Sequence, residues 1–210
     1  MGLIKQKIPV RSYAGEQWKT NSSNKLRLVK DFKCKCAYCD DHHHYSGGYN
    51  SYHVEHFAPK ERFPHLQFTY ENLLYSCPYC NIAKSNKWVG KDENENIVGE
   101  QGFIDPCSQE YNQHLQRNDD GSIGYLTPIG EHIYSELKLY LKRHQLIYNI
   151  EKVRVKKNTL HAKILEKERK GEDTAELQNL YQQICVVFCE YYDLFFKEDE
   201  CFEAEQPAVI

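Results

Sequence analysis

Glu55 and His56 stand side by side in Tyr52-His53-Val54-Glu55-His56-Phe57-Ala58-Pro59-Lys60, between two cysteine pairs, Cys36-Ala37-Tyr38-Cys39 and Cys77-Pro78-Tyr79-Cys80. A CxxC turn sets two thiolates at the spacing of a tetrahedral zinc ion, and two such turns complete a four-sulfur site. A carboxylate beside an imidazole offers an oxygen ligand for a hard divalent cation. It also offers a base whose ordinary pKa of about 6.5 lets it take a proton near neutral pH. Two amides follow, Asn72 and Asn81, the second directly after Cys80, and then Lys84 and Lys87. Phosphodiester hydrolysis needs a base for water, a cation for developing charge and in-line geometry. The plainer reading of His56 is a half-buried, hydrogen-bonded histidine at a strand end, and of Lys84 a surface lysine.

These groups need a frame. In an extended strand, residues 55 and 56 face opposite ways, so one shared site requires a bend, which Phe57-Ala58-Pro59 can provide. Lys84 falls three residues after Asn81, on one helix face. Before the first knuckle, Asn21-Ser22-Ser23 offers a helix cap, and Leu26, Val29 and Phe32 recur at helical spacing. Residues 34–92 read as a compact zinc-bound domain and 93–130 as an irregular connection with GFIDPC as its ordered piece. Residues 131–196 read as a helical domain, with Ile133, Leu137, Tyr140 and Leu141 in one stripe and a break at Lys170-Gly171. Residues 1–33 form a basic segment with a short helix, and 197–210 an acidic tail.

The order CAYC, VEHFAPK, ENLLYSCPYCNIAK resembles the four-cysteine branch of the HNH endonuclease family, whose pattern runs CxxC, [DE]H, P, NL, CxxC[HN]xxK. Glu55 stands where Asp or His is usual, and Asn81 where His is usual. The resemblance covers residues 34–88 and implies an α+β fold with a zinc-stabilised ββα-metal (HNH, His-Me finger) core, flanked by the basic helix and the C-terminal helices. It implies structural Zn²⁺ on Cys36, Cys39, Cys77 and Cys80. His56 would be the general base, Asn72 would pin the connecting loop, and Glu55 and Asn81 would hold a catalytic Mg²⁺ or Mn²⁺, other divalent ions being possible. Lys84 and Lys87 would touch substrate phosphate. His53, two residues before Glu55, would be a supplementary ligand or a structural polar residue. The wider layout (a basic N-terminal segment with Trp18-Lys19, then EHFAPK, ENLLYSC, GFIDP and a helical C-terminus) resembles the HNH subunits of Septu-type and retron-associated anti-phage systems. That resemblance implies a nucleic-acid substrate, DNA before RNA, and an ATPase partner docked on the helical region. The competing expectation is a zinc-stabilised binding module without catalysis.

Composition bounds these readings. Nine cysteines in a chain whose first residues lack a signal-peptide pattern point to reduced thiols and metal rather than disulfides, and to a cytoplasmic protein. Cys34 reads as a spare thiol, Cys185 and Cys189 as small core residues of a helix, and Cys107 and Cys201 have no partner spacing. Asp40-Asp41-His42-His43-His44 reads as a polar loop whose consecutive histidines point apart. No apolar run approaches the roughly 18 residues of a membrane span. The net charge of −3 hides strong local bias. Residues 1–33 carry eight Lys/Arg against two Asp/Glu, and 142–170 ten against three, while 171–210 carry one against ten. Two basic segments are therefore candidate phosphate contacts, and the acidic one a candidate docking face.

Overall fold

The computed structural model describes residues 2–13 and 19–197. Trp18, Cys201 and the tail beyond Lys197 lie outside them. The chain divides after Tyr140 into two compact units. In the first run β1 (Gly2–Leu3), α1 (Asn21–Asp31), β2 (His53–His56), β3 (Leu73–Ser76), α2 (Pro78–Lys84), β4 (Ile97–Val98), β5 (Gln101–Gly102), α3 (Tyr111–His114), β6 (Leu115–Arg117), β7 (Ile123–Tyr125) and α4 (Pro128–Glu136). The second unit holds α5 (Lys142–Arg169) and α6 (Ala175–Phe196). The fold is α+β, and its centre is β2-β3-α2.

The ββα centre follows from local chemistry. β2 and β3 pair antiparallel, with His53 opposite Ser76, Glu55 opposite Leu74 and His56 opposite Leu73. One residue separates β3 from α2. That residue is Cys77, whose sulfur caps the helix by accepting from the Cys80 N–H at 3.4 Å, and Pro78 supplies the fixed φ that suits a first helical turn. The helix ends after seven residues at Ser85, which adopts a left-handed φ of 47°. Residues 34–35 and 41–42 close the first knuckle through a Lys35–His42 bridge, and the Ala37 N–H donates to the Tyr75 carbonyl at 2.7 Å. Both cysteine pairs are thus tied to β3 before any metal is considered.

The main hydrophobic core packs around this centre and reaches far beyond it. Leu28 and Phe32 from α1, Tyr38, Tyr52, Leu73, Leu74 and Tyr75 join Ile4, Phe103, Ile104, Tyr111, Leu115, Ile133 and Leu137. Residues 93–130 are therefore not a mere connection. They supply the β4-β5 sheet, two of the three strands of the β1-β6-β7 sheet, and five residues of the core. GFIDP is ordered as expected: Gly102 adopts φ +136° where any Cβ would meet the Asn96 carbonyl, Phe103 and Ile104 are buried, and Asp105 takes a bidentate pair from Arg11 at 2.7 and 3.1 Å. Arg11 Nε also donates to the Leu73 carbonyl at 3.2 Å, so the N-terminal segment is fastened to the central sheet.

Two helical stripes differ from their sequence readings. α1 is capped by Thr20, whose hydroxyl accepts from Ser23, and it buries Asn24 and Leu28, while Leu26 is 56% exposed. Leu26 matched the spacing of Val29, but the face turned inward is the one Leu28 and Phe32 share. Residues 131–140 belong with the first unit, because Ile133 and Leu137 enter its core. The stripe does not run on through Tyr140 and Leu141, since α4 ends at Glu136, Lys138 turns left-handed at φ 53° and α5 starts at Lys142.

In the second unit, α5 is capped by Lys170 and followed by Gly171, whose φ of 70° suits glycine. α6 follows on it as a helical hairpin, with His161 stacked on Tyr181 and Lys157 over the Phe188 ring. No residue of α6 is buried, and Cys185 and Cys189 are half-buried and exposed rather than core. A helix with one packing neighbour in its unit leaves most of its circumference uncovered. Among the described residues, no helix is long and apolar enough to cross a membrane.

Candidate active site

The four thiols of Cys36, Cys39, Cys77 and Cys80 are buried, with all sulfurs within 4.8 Å of one another and Cys39 and Cys77 at 3.9 Å. A tetrahedron of Zn–S bonds of about 2.3 Å places its sulfurs about 3.8 Å apart, so the cluster matches zinc with small side-chain adjustment. Without metal, burial opposes the Cys36 thiolate, yet the three neighbouring thiols aimed at it hold it well below the ordinary thiol range. Cys39 and Cys77 are pushed up chiefly by burial, and Cys80 chiefly by its bonding to Cys36. Four thiols that share protons in this way form a donor set suited to a divalent cation.

Beside this clamp, Glu55, His56 and Asn81 line one cavity of about 290 Å³, together with Pro59, Lys60, Glu61, Ser85 and Asn86. β2 remains extended through His56, and the turn begins at Phe57, whose N–H donates to the Asn72 carbonyl at 2.9 Å. Glu55 and His56 share the cavity because it opens at the strand's end, where α2 lies against β2. His56 is 7% exposed, and its Nε2 lies 3.0 Å from the Gln67 carbonyl. A carbonyl only accepts, so Nε2 carries the proton and Nδ1 carries the lone pair. Burial lowers the ring's pKa, and the bond to Gln67 partly offsets it.

Asn72 does not enter the cavity; it organises the loop beneath it. Its Oδ1 accepts from the Ala58 N–H at 2.8 Å, and its Nδ2 donates to the Ala58 carbonyl at 2.9 Å and more weakly to that of Leu66 at 3.5 Å. A small second core of Ala58, Phe63 and Trp88 lies under the same loop, and Arg62 donates to the carbonyls of Trp88 and Gly90. Asn81, one helical residue beyond Cys80, is half-buried and lines the cavity.

Lys84 is neither a surface lysine nor placed to touch a phosphate directly. It is 0% exposed: its ammonium donates to the Phe57 carbonyl at 3.0 Å, lies 3.7 Å from Glu55 Oε1 and sits over the Phe103 ring. Burial lowers its pKa and Glu55 partly restores it. Three helical residues from Asn81, it points inward because α2 packs on β2 there. Glu55, 6% exposed, also receives the Tyr38 hydroxyl on Oε1 at 3.4 Å. Burial raises its carboxyl to about 7 despite Lys84 and Tyr38. Lys87 pairs with Glu136 at 2.7 Å, and His53 is exposed, outside the cavity lining, with burial and Lys25 lowering its pKa.

Three contributors carry no clear sequence signal: the Gln67 carbonyl, Tyr38 and Arg62. A backbone acceptor has no residue type to read. Tyr38 and Trp88 are buried as packing residues should be, but Tyr79 is exposed.

Residues 36–87 match the family model described as HNH endonuclease. The chain is 40% identical over 60 residues to a Septu protein PtuB of Bacillus thuringiensis, covering 29% of this chain and 23% of that protein. It is 27% identical over 141 residues to the Septu protein PtuB of Bacillus mycoides (strain KBAB4), covering 57% and 44%. A retron Vc95 HNH protein of Vibrio cholerae serotype O1 biovar El Tor is 32% identical over 91 residues, covering 42% and 40%. The chain thus spans less than half the length of these relatives. No solved structure matches it. The four-thiol knuckle and the ββα unit it holds, residues 36–87, are an HNH endonuclease domain.

Proposed function

We propose that this protein is a metal-dependent endonuclease that hydrolyses phosphodiester bonds in nucleic acid, DNA before RNA, as the effector of an anti-phage system with an ATPase partner. The observation that carries the reading is the convergence of Glu55, His56 and Asn81 on one cavity, with the imidazole fixed in a single tautomer. His56 Nδ1 takes a proton from the attacking water, while Nε2–H stays on the Gln67 carbonyl and stabilises the imidazolium that results. Asn72 keeps the 57–66 loop, and so the ring, in register. Glu55 and Asn81 would hold a Mg²⁺ or Mn²⁺, whose chemistry is to neutralise charge on the phosphate and the leaving oxygen. The donor set fits such an ion: oxygen ligands only, from two side chains that line one cavity, with the Tyr38 and Lys84 contacts to the carboxylate falling on Oε1.

The relatives named as Septu and retron proteins support the defence role. Basic side chains support the substrate class: the exposed Lys7, Lys30 and Lys33 line a cleft of about 680 Å³ beside the first knuckle, together with Asp31 and Asp40, and would offer phosphates cations there. Lys5 is instead buried on the Cys36 carbonyl, and Lys35 pairs with Asp40. The α5–α6 hairpin supports a docked partner, since Leu180, Val186 and Tyr192 of α6 are exposed.

The test is cleavage of plasmid DNA and of RNA by the purified chain with Mg²⁺ or Mn²⁺, with and without its partner ATPase, against His56→Ala. Nicking by wild type alone, with the variant folded and inert, is expected. Equal inertness of both with every partner present would overturn the reading and favour a zinc-stabilised binding module.

A further inference from the structure

A second group of metal-binding side chains lies outside the four-cysteine cluster. Cys34 Sγ, one ring nitrogen of His42 and one of His43 are all within 4.8 Å of one another. The three histidines in sequence do not point apart. Ring centroids of 42, 43 and 44 lie 4.4 to 4.9 Å from each other, where the chain passes from an extended cap at His42 into a 3₁₀ turn over His43–Ser46. Cys34 is brought to them by the backbone. The His43 N–H donates to the Cys34 carbonyl at 2.8 Å, and the neighbouring Lys35 bridges His42.

Cys34 and Lys33 both adopt left-handed φ, 63° and 51°, at the exit of α1. Neither is glycine, and each such residue costs of order 1 kcal/mol. The surrounding structure holds them there. His43 is buried, and its Nδ1 bonds the Tyr75 hydroxyl at 2.9 Å, the kind of outer hydrogen bond that orients a ligating imidazole. One soft thiolate with two imidazoles suits zinc among the available divalent ions.

We propose that Cys34, His42 and His43 form a second zinc site, distinct from the four-cysteine centre, with three protein ligands and a fourth position open to solvent. Cys34 and His42 are half-buried, so the ion is reachable from outside. Three ligands hold zinc less firmly than four buried thiolates, so this ion exchanges first. While bound, it links the end of α1 to the knuckle and, through Tyr75, to β3.

The full chain, prepared without a histidine tag and equilibrated with excess zinc, is analysed by elemental mass spectrometry. Wild type should carry two zinc ions, one of which a mild chelator removes. Cys34→Ser and His42→Ala should each carry one, with an unchanged circular dichroism spectrum. Cobalt substitution gives a second readout: the weaker site should show single-thiolate charge transfer that Cys34→Ser abolishes. Wild type holding one zinc under these conditions overturns the proposal. So does either variant retaining two, or a cobalt spectrum indifferent to Cys34→Ser.

Discussion

Replacing Lys84 with methionine tests whether the buried ammonium and Glu55 act as one unit. Methionine keeps the stem's volume against Trp88 and Phe103 but removes the donor to the Phe57 carbonyl and the charge 3.7 Å from Glu55. A hydrogen bond from a charged group contributes about 1.5–3 kcal/mol, and breaking a buried ion pair costs about 3–5 kcal/mol because the remaining charge is stranded. Glu55 has an escape, since its carboxyl already sits at about 7 and can take a proton. The expected cost near pH 7 is therefore at the low end, about 3 kcal/mol, or a melting drop of about 6–12 °C for a unit of this size. The sign with pH follows. A carboxyl raised above its unfolded value contributes stability fully present below the ordinary carboxylate range and lost as pH rises through its folded value. Without Lys84 that folded value climbs further, so the deficit of the variant should widen as pH rises through and above about 7.

The assay is urea unfolding of zinc-loaded wild type, Lys84→Met, Glu55→Gln and the double variant. If the two groups are coupled, the double variant is more stable than the sum of the singles by at least about 1 kcal/mol, because no charge is left unpaired. Additivity within about 0.5 kcal/mol would refute the reasoning, as would a Lys84→Met deficit that shrinks as pH rises.

Further expectations concern the same unit. Asn72→Ala removes both bonds to Ala58 and should cost about 2–3 kcal/mol while lowering cleavage more than tenfold; full cleavage at normal stability would separate the loop from the ring. In the metal-free site Glu55 is protonated below about 7, so Mn²⁺ affinity should weaken about tenfold per pH unit beneath that value. Calorimetric titration showing a flat affinity down to about pH 5.5 would count against Glu55 as a ligand. Cys77→Ala should lose the four-cysteine zinc and lower the melting point of the first unit, and an unchanged melting curve would contradict that. Leu28→Ala should cost about 2–5 kcal/mol and Leu26→Ala less than about 0.5 kcal/mol, which chemical denaturation distinguishes directly.

What could be read from the chain and what could not divide along a physical line. Cysteine pairs, the Glu55-His56 doublet and the amide after Cys80 are side chains at short, regular spacings along the sequence, so their grouping in space is expressed locally. Lys84 shows the limit. Its spacing from Asn81 places it on the helix face that serves the site, yet whether that lysine meets solvent or Glu55 depends on how α2 packs on β2, which spacing does not encode. The same holds for the Gln67 carbonyl, where the decisive atom belongs to the backbone and any residue type would supply it. His42 and His43 fail for a related reason: they straddle the change from an extended cap at His42 to a 3₁₀ turn at His43, so the opposite-facing geometry of a strand does not apply, and the turn is set by contacts to Cys34 and Gly48. The size of the core was hidden too. A zinc knuckle of some 55 residues buries little surface and leans on its metal, but here Ile4, Phe103, Leu115 and Ile133 close over it from both sides of the sequence. Loss of zinc should then loosen the site before it melts the unit. The cavity geometry at Glu55 and His56, more than the secondary structure, is where the metal's contribution to this domain will be felt.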